Sequence, residues 1–267
     1  RQMCIRDRLE LGCPVTRLER QYRQSDNESA LFYNVVNYPK LSDSEELKFD
    51  DSFQLIPASE GDIFKVIQEE AVKRYLAGEN VQVIATTRAD VKKLNEALQQ
   101  VVNPPAEGKA EVTHNGITVR ENDRTMILKN NREERCFNGD IGTAHVEPME
   151  GGSAFIHIPL SANRQPKFFS AKIGSTLALA YALTVHKSQG SQYDTVIMPA
   201  STDCQKMLRR NLFYTAISRA KSRSSLLEVR RRSTSQWSRH RSRARVCWSS
   251  RRTRRCTLPH ELQISCY

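Results

Sequence analysis

The pattern that most constrains this chain is an alternation of strand and helix that is interrupted and then resumed. Ser59 and Asp62, spaced as in a capping box, precede Ile63, Val66, Ile67 and Ala71 at helical spacing, and Gly78 ends the run. The apolar stretch Val81 to Thr86 reads as a short buried strand, and Val91, Leu94, Leu98 and Val101 mark one face of a second helix. Such alternation implies a parallel sheet covered by helices, because parallel neighbours need a long crossover. From Pro104 the texture changes to short β-type runs, Gly116 to Val119, Thr125 to Lys129, Ile141 to Val146 and Ala154 to Pro159. Turn signals at Asn130-Asn131 and Asn138-Gly139-Asp140 separate them, which predicts a small antiparallel β-barrel inserted in an α/β domain. The α/β texture resumes with Leu177 to Leu183, an apolar run suited to a strand buried on both faces. A strand at Asp194 to Pro199 follows, then a helix marked by Leu208, Leu212, Ala216 and Ala220.

Charge needs to be read by position. The net charge is +11, but residues 222–267 hold 12 Arg, no Lys and the two acids Glu228 and Glu261, so the first 221 residues carry only +1. Total charge therefore says nothing about what the body of the chain binds. The Arg- and Ser-rich end has no periodic apolar face, and it reads either as an arginine-rich arm that folds on nucleic acid or as translation in a shifted frame after about Ser222. The abrupt change of residue usage favours the second. Residues 1–8 are expected to be a non-native leader. Seven scattered cysteines, never at CxxC spacing, predict reduced thiols of a cytoplasmic protein and no zinc site. No run has the roughly 18 apolar residues of a membrane span.

The segment Thr184 to Gln192 (TVHKSQGSQ) follows the resumed apolar run with hydroxyl, imidazole, ammonium and amide groups, then Gly190 for a tight turn. At the carboxyl end of a parallel strand this is where ligands collect, although a polar strand-to-helix connection capped by Thr184 explains the spacing equally well. Further on, Tyr214 to Arg219 reads YTAISR, and near the start Leu18 to Gln24 reads LERQYRQ. No G-x-x-x-x-G-K-[ST] phosphate loop occurs, and no Asp-Glu pair ends an apolar strand.

These segments together resemble RecD-like superfamily 1 DNA helicases. The first matches all but the last residue of the motif T-x-H-K-S-Q-G-S-E, with Gln192 where the family has an acid. The second is similar to Y-T-A-[IL]-[ST]-R-A and the third to L-x-x-x-[FY]-R-Q, in family order. The resemblance implies a RecA-like parallel-sheet domain with an inserted SH3-like β-barrel. It divides the chain into 9–107 and 168–222 for the RecA-like domain, 108–167 for the barrel, and 223–267 for the tail. It implies that Arg219 and Arg23 sense the γ-phosphate of ATP, with Gln21, Gly190 and Gln192 facing the nucleotide. Thr184, His186 and Lys187, with Thr86 and Arg88 at the end of the earlier strand, are implied to meet single-stranded DNA. ATP and Mg2+ would be completed by a missing N-terminal RecA-like domain, so the fragment alone is expected to be inactive. Two other readings stay open: a non-enzymatic module binding single strands through the barrel and tail, and the helicase half of a conjugative relaxase.

Overall fold

The structure is a computed structural model and describes residues 12, 24, 26, 28–37, 47–59, 61–161, 163–200 and 210–229. With strands numbered along the chain, β1 (Phe53–Ala58), β2 (Val81–Ala85), β11 (Ala182–Thr184), β12 (Tyr193–Ala200) and β13 (Ala220–Val229) form one sheet. Every pairing in it is parallel, in the spatial order β1-β13-β12-β2-β11. Successive side chains enter opposite layers. Val83, Ile197 and Leu227 pack on one face, while Ile84, Val196 and Leu226 pack on the other. All five residues of β2 are buried, which is why it reads as an apolar run and not as alternation.

Helices α1 (Ala30–Asn37) and α4 (Arg210–Ile217) cover one face through Leu31, Val35, Phe213 and Ala216. Helices α2 (Ile63–Leu76) and α3 (Arg88–Val102) cover the other through Ile67, Ala71, Leu94 and Leu98. Gly78 closes α2 at φ +77°, donating its amide to the Tyr75 carbonyl at 3.0 Å, a backbone state that any side chain would strain. Thr87 caps α3, accepting from the Asp90 amide at 3.0 Å. The expected box at the start of α2 takes another form: Asp62 is the capping residue, and the Ser59 hydroxyl bonds its carboxylate instead of a backbone amide.

Between α3 and β11 stands the antiparallel insert. Strands β3 (Glu111–His114) and β4 (Ile117–Arg120) form a hairpin over Asn115-Gly116. Strand β5 (Arg124–Ile127) lies between β6 (Ile141–Thr143) and β10 (Leu177–Leu179). Strands β7 (His145–Pro148), β8 (Ala154–His157) and β9 (Lys167–Phe169) form a meander. Its interior, with Val112, Val119, Ile127, Ile156 and Leu177, belongs to the same apolar cluster as Val83 and Leu94. Barrel and sheet therefore share one continuous core.

Several expectations need correcting. The run Leu177 to Leu183 is two strands and not one: β10 pairs antiparallel with β5 in the barrel, and β11 pairs parallel with β2. The chain breaks at Ala180-Tyr181, whose carbonyls accept from the Gln82 side-chain amide at 3.2 and 3.0 Å. The barrel consequently continues beyond the expected edge at residue 167. The expected edge at residue 222 falls inside β13, where Leu226 and Leu227 are buried on opposite faces. Neighbouring Ser224 and Ser225 are also fully buried, and this polar pair hides the strand from a hydropathy reading. Val101, expected on the buried face of α3, is 48% exposed, and Ala220 opens β13 instead of ending a helix. Leu208 and residues 1–8 and 230–267 lie outside the described residues.

Candidate nucleotide and nucleic-acid interface

Parallel register gives the sheet two unlike edges, and the expected site residues divide between them. At the carboxyl edge Thr184 pairs with Ala85, so Thr86 and Arg88, just past β2, stand next to the segment that leaves β11. That segment is a turn over residues 185–190, with no strand or helix. Thr184 organises its start, because its carbonyl accepts from the amides of Lys187 at 3.0 Å and Ser188 at 3.1 Å. The buried Ser188 hydroxyl returns to the Val185 carbonyl at 2.8 Å, and Gly190, at φ +88°, lets the chain double back. His186 and Lys187 are exposed on this turn, as is Arg88 at the first position of α3.

The electrostatics of this edge are unbalanced. Although Lys187 is exposed, partial desolvation of its ammonium and then the positive charge of Arg88 lower its pKa below the ordinary lysine value. No salt bridge joins either cation to a carboxylate among the described residues. The Thr86 hydroxyl oxygen is buried with no hydrogen-bond partner among the described residues. Exposed cations at Arg88 and Lys187 and the buried Thr86 hydroxyl thus occur at the same carboxyl edge, near the ends of β2 and β11.

The amino edge gathers the other motif segments, tightly bonded. Arg219 lies in the turn between α4 and β13, not on the helix. Its carbonyl accepts from the Tyr193 amide at 3.0 Å, and its half-buried guanidinium donates to the Thr215 carbonyl at 3.1 Å and the Ser218 hydroxyl at 3.2 Å. One residue on, the Ala220 carbonyl accepts from the buried side-chain amide of Gln24 at 2.7 Å. The last residue of LERQYRQ is thereby fixed beside Arg219, while Gln21 and Arg23 lie outside the described residues. Burial pushes the Tyr193 hydroxyl up, and the charges of Arg124 and Arg219 pull it back. Gln192 is exposed and lines an open cleft of about 470 Å3 with Asn80, Arg124, Thr143 and Tyr193, where the sheet edge faces the barrel. Gly190, also exposed, lies between the two edges on the connecting turn. Among the described residues no three His, Cys, Asp or Glu side chains come together to hold a metal.

The structure thus brings Thr86, Arg88, Thr184 and the turn of His186 and Lys187 to one edge, and Gln192 and Arg219 to the opposite one. Sequence reasoning passed over Gln24. Its only signal was its position as the final residue of the third motif, because a buried amide bonded to a backbone carbonyl leaves no trace in hydropathy.

Comparison with known proteins matches two segments of the chain. Residues 94–151 match the ATP-dependent RecD-like DNA helicase SH3 domain, and residues 179–227 match the UvrD-like helicase C-terminal domain. Among curated proteins, the ATP-dependent RecD2 DNA helicase of Deinococcus radiodurans is 32% identical over 146 residues, 54% of this chain and 19% of that protein. The RecBCD enzyme subunit RecD of Mycolicibacterium smegmatis is 33% identical over 98 residues, 37% of this chain and 16% of that protein. The chain therefore spans less than a fifth of the length of these relatives. A Pif1 helicase from Bacteroides, solved with ADP-AlF3 and single-stranded DNA, superposes with a TM-score of 0.45 at 18% identity over 78% of this chain and 50% of that one. In both its parallel-sheet part and its SH3-like insert, this chain is similar to the C-terminal portion of RecD-like superfamily 1 DNA helicases.

Proposed function

We propose that this chain supplies the second RecA-like domain, with its SH3-like insert, of an ATP-dependent helicase that moves 5′ to 3′ along single-stranded DNA. The observation that carries the reading is the carboxyl edge, where the pairing of Thr184 with Ala85 brings the exposed Arg88 and Lys187 to one end of the sheet with no salt bridge to a carboxylate and the Thr86 hydroxyl with no partner among the described residues. A strand of DNA presents the missing element, a row of phosphate oxygens. In this reading Thr86, Arg88, Thr184, His186 and Lys187 hold that strand. At the other edge Arg219, with Arg23, meets the γ-phosphate of ATP, and Gln21, Gly190 and Gln192 face the nucleotide. The guanidinium of Arg219 suits this role because its planar donor fork stabilises charge on three equatorial oxygens, which an ammonium matches poorly. Gln192 keeps hydrogen-bonding capacity but brings no charge, so it binds and orients without acting as an acid or base. ATP supplies the free energy and Mg2+ its phosphate clamp, both completed by a first RecA-like domain of the same protein.

The test is to express the chain together with its upstream coding sequence and to measure ATP hydrolysis with and without single-stranded DNA. Unwinding of duplexes bearing a 5′ or a 3′ single-stranded tail is read alongside. Stimulation by DNA, and unwinding of 5′-tailed substrates alone, are the expected results. Hydrolysis that ignores DNA would remove the reading.

A further inference from the structure

Beside its apolar stripe, helix α3 carries three buried amides spaced four residues apart, Asn95, Gln99 and Asn103 just past its end. One reaches β11, and the other two reach the barrel. Asn95 pairs with both backbone groups of Ala182, donating at 3.0 Å and accepting at 2.9 Å. It thereby replaces the neighbouring strand that β11 lacks on its outer side. Gln99 and Asn103 donate instead to the carboxylate of Asp123, at 2.5 and 2.6 Å.

Asp123 is fully buried in the barrel, in the tight link between β4 and β5. Its carboxylate accepts two more bonds, from the Arg120 amide at 2.7 Å and from the Tyr181 hydroxyl at 2.8 Å. Four donors compensate a charge that could not otherwise be buried. They come from the helix, from the barrel, and from the residue at which the chain passes from β10 to β11. Tyr181 is itself buried, and its carbonyl accepts from the Val83 amide at 3.3 Å and from the Gln82 side chain. Three residues later comes Thr184, where the turn bearing His186 and Lys187 begins.

We infer that Asp123 and Tyr181 are positioning residues whose buried bond seats the barrel against the parallel sheet and, through the backbone of Tyr181, fixes β11 and the turn over residues 185–190. The functional half of this inference rests on the proposal that the turn grips single-stranded DNA. A displacement of the barrel would be transmitted to β11 through this bond, so the seat of the barrel and the grip of the turn change together.

The test uses the full-length gene product with Tyr181→Phe, which removes only the hydroxyl, and Asp123→Asn, which keeps shape but turns an NH2 toward one of the four donors. Backbone hydrogen exchange over residues 182–188 reads the link without DNA. The single-strand concentration that half-saturates ATP hydrolysis, set against the rate at saturating DNA, reads its use. We expect faster exchange across 182–188 in both variants and a half-saturating concentration raised about fivefold or more, with the saturated rate changed less than about twofold. A positional effect splits the two constants in this way, whereas a general loss of fold lowers active protein without moving half-saturation. Unchanged exchange over 182–188 and unchanged half-saturation, with only a lower melting temperature, would reduce the bond to local packing and overturn the inference. Should the unmodified protein prove insensitive to single-stranded DNA, the grip reading falls, while the exchange measurement still decides whether the link exists.

Discussion

The carboxyl and amino edges of one parallel sheet meet their hydrogen-bonding needs in opposite ways. At the amino edge, Arg219 bonds to Thr215 and Ser218, its carbonyl accepts from Tyr193, and Gln24 holds the next residue. At the carboxyl edge, Arg88 and Lys187 are exposed with no salt bridge to a carboxylate, and the buried Thr86 hydroxyl has no partner among the described residues. Burying an unpaired hydroxyl costs the folded chain free energy, whereas the exposed cations stay hydrated. The first edge is therefore held by internal bonds, whereas the second presents exposed cations to solvent. In the proposed helicase this separates the nucleotide sensor from the DNA grip by the length of the strands, so one must influence the other through the sheet and its connecting turn.

The contrast can be broken most sharply at Arg219. Its change to Ala in the full-length protein should lower the rate of DNA-stimulated ATP hydrolysis about 10^3-fold or more while single-strand affinity changes little. Loss of DNA affinity instead would place Arg219 with the grip. The reciprocal change, Lys187→Ala, should weaken single-strand binding roughly tenfold and reduce the slope of affinity against salt by about 0.7, as expected when one phosphate contact is lost. A slope that does not move would mean that Lys187 touches no phosphate.

A smaller effect follows from pH. Because partial desolvation and Arg88 lower the pKa of Lys187 from 10.5, its charge is lost at a pH where an ordinary lysine keeps it. Anisotropy titrations with labelled single strands should show affinity falling as pH rises through the window below 10.5, and Lys187→Arg should flatten that fall, since a guanidinium stays charged. The sign for stability is opposite. The unfolded chain binds this proton more tightly, so the folded state gains from Lys187 as pH rises through the same window. The smallest expected change is Thr86→Val, which removes an unpaired hydroxyl and should leave urea stability within about 0.5 kcal/mol while costing a few-fold in DNA affinity. A clear loss of stability would mean that the hydroxyl has a partner in the free protein.

Legibility differed between regions for physical reasons. Strand β2 and helix α3 were readable because burial on two faces gives a continuous apolar run, and burial on one face gives a helical period. The Asn138-Gly139 turn was readable because few residues accept positive φ, as Gly139 does, whereas Gly116, expected to open a β-type run, sits with Asn115 in the turn between β3 and β4. The division of 177–183 into β10 and β11 was not, because both halves are apolar and only pairing partners distinguish them. The end of β13 was hidden by Ser224 and Ser225, polar side chains that are buried in a central strand. The stripe of Asn95, Gln99 and Asn103 carried a usable signal, three amides spaced four apart beside Leu94 and Leu98, and such spacing marks a polar seam inside a core.

By itself, the sequence determined the α/β class, the presence of an inserted β-domain and the motif residues, because residue type and spacing are local properties that follow from helical and extended periods. Only the tertiary structure decided that these motifs separate onto two edges of one sheet and that Gln24 stands beside Arg219. It alone placed Asp123 where helix, barrel and β11 meet. Those facts depend on strand register and on buried polar bonds between residues tens of positions apart, and no local pattern encodes which donor a buried carboxylate will find.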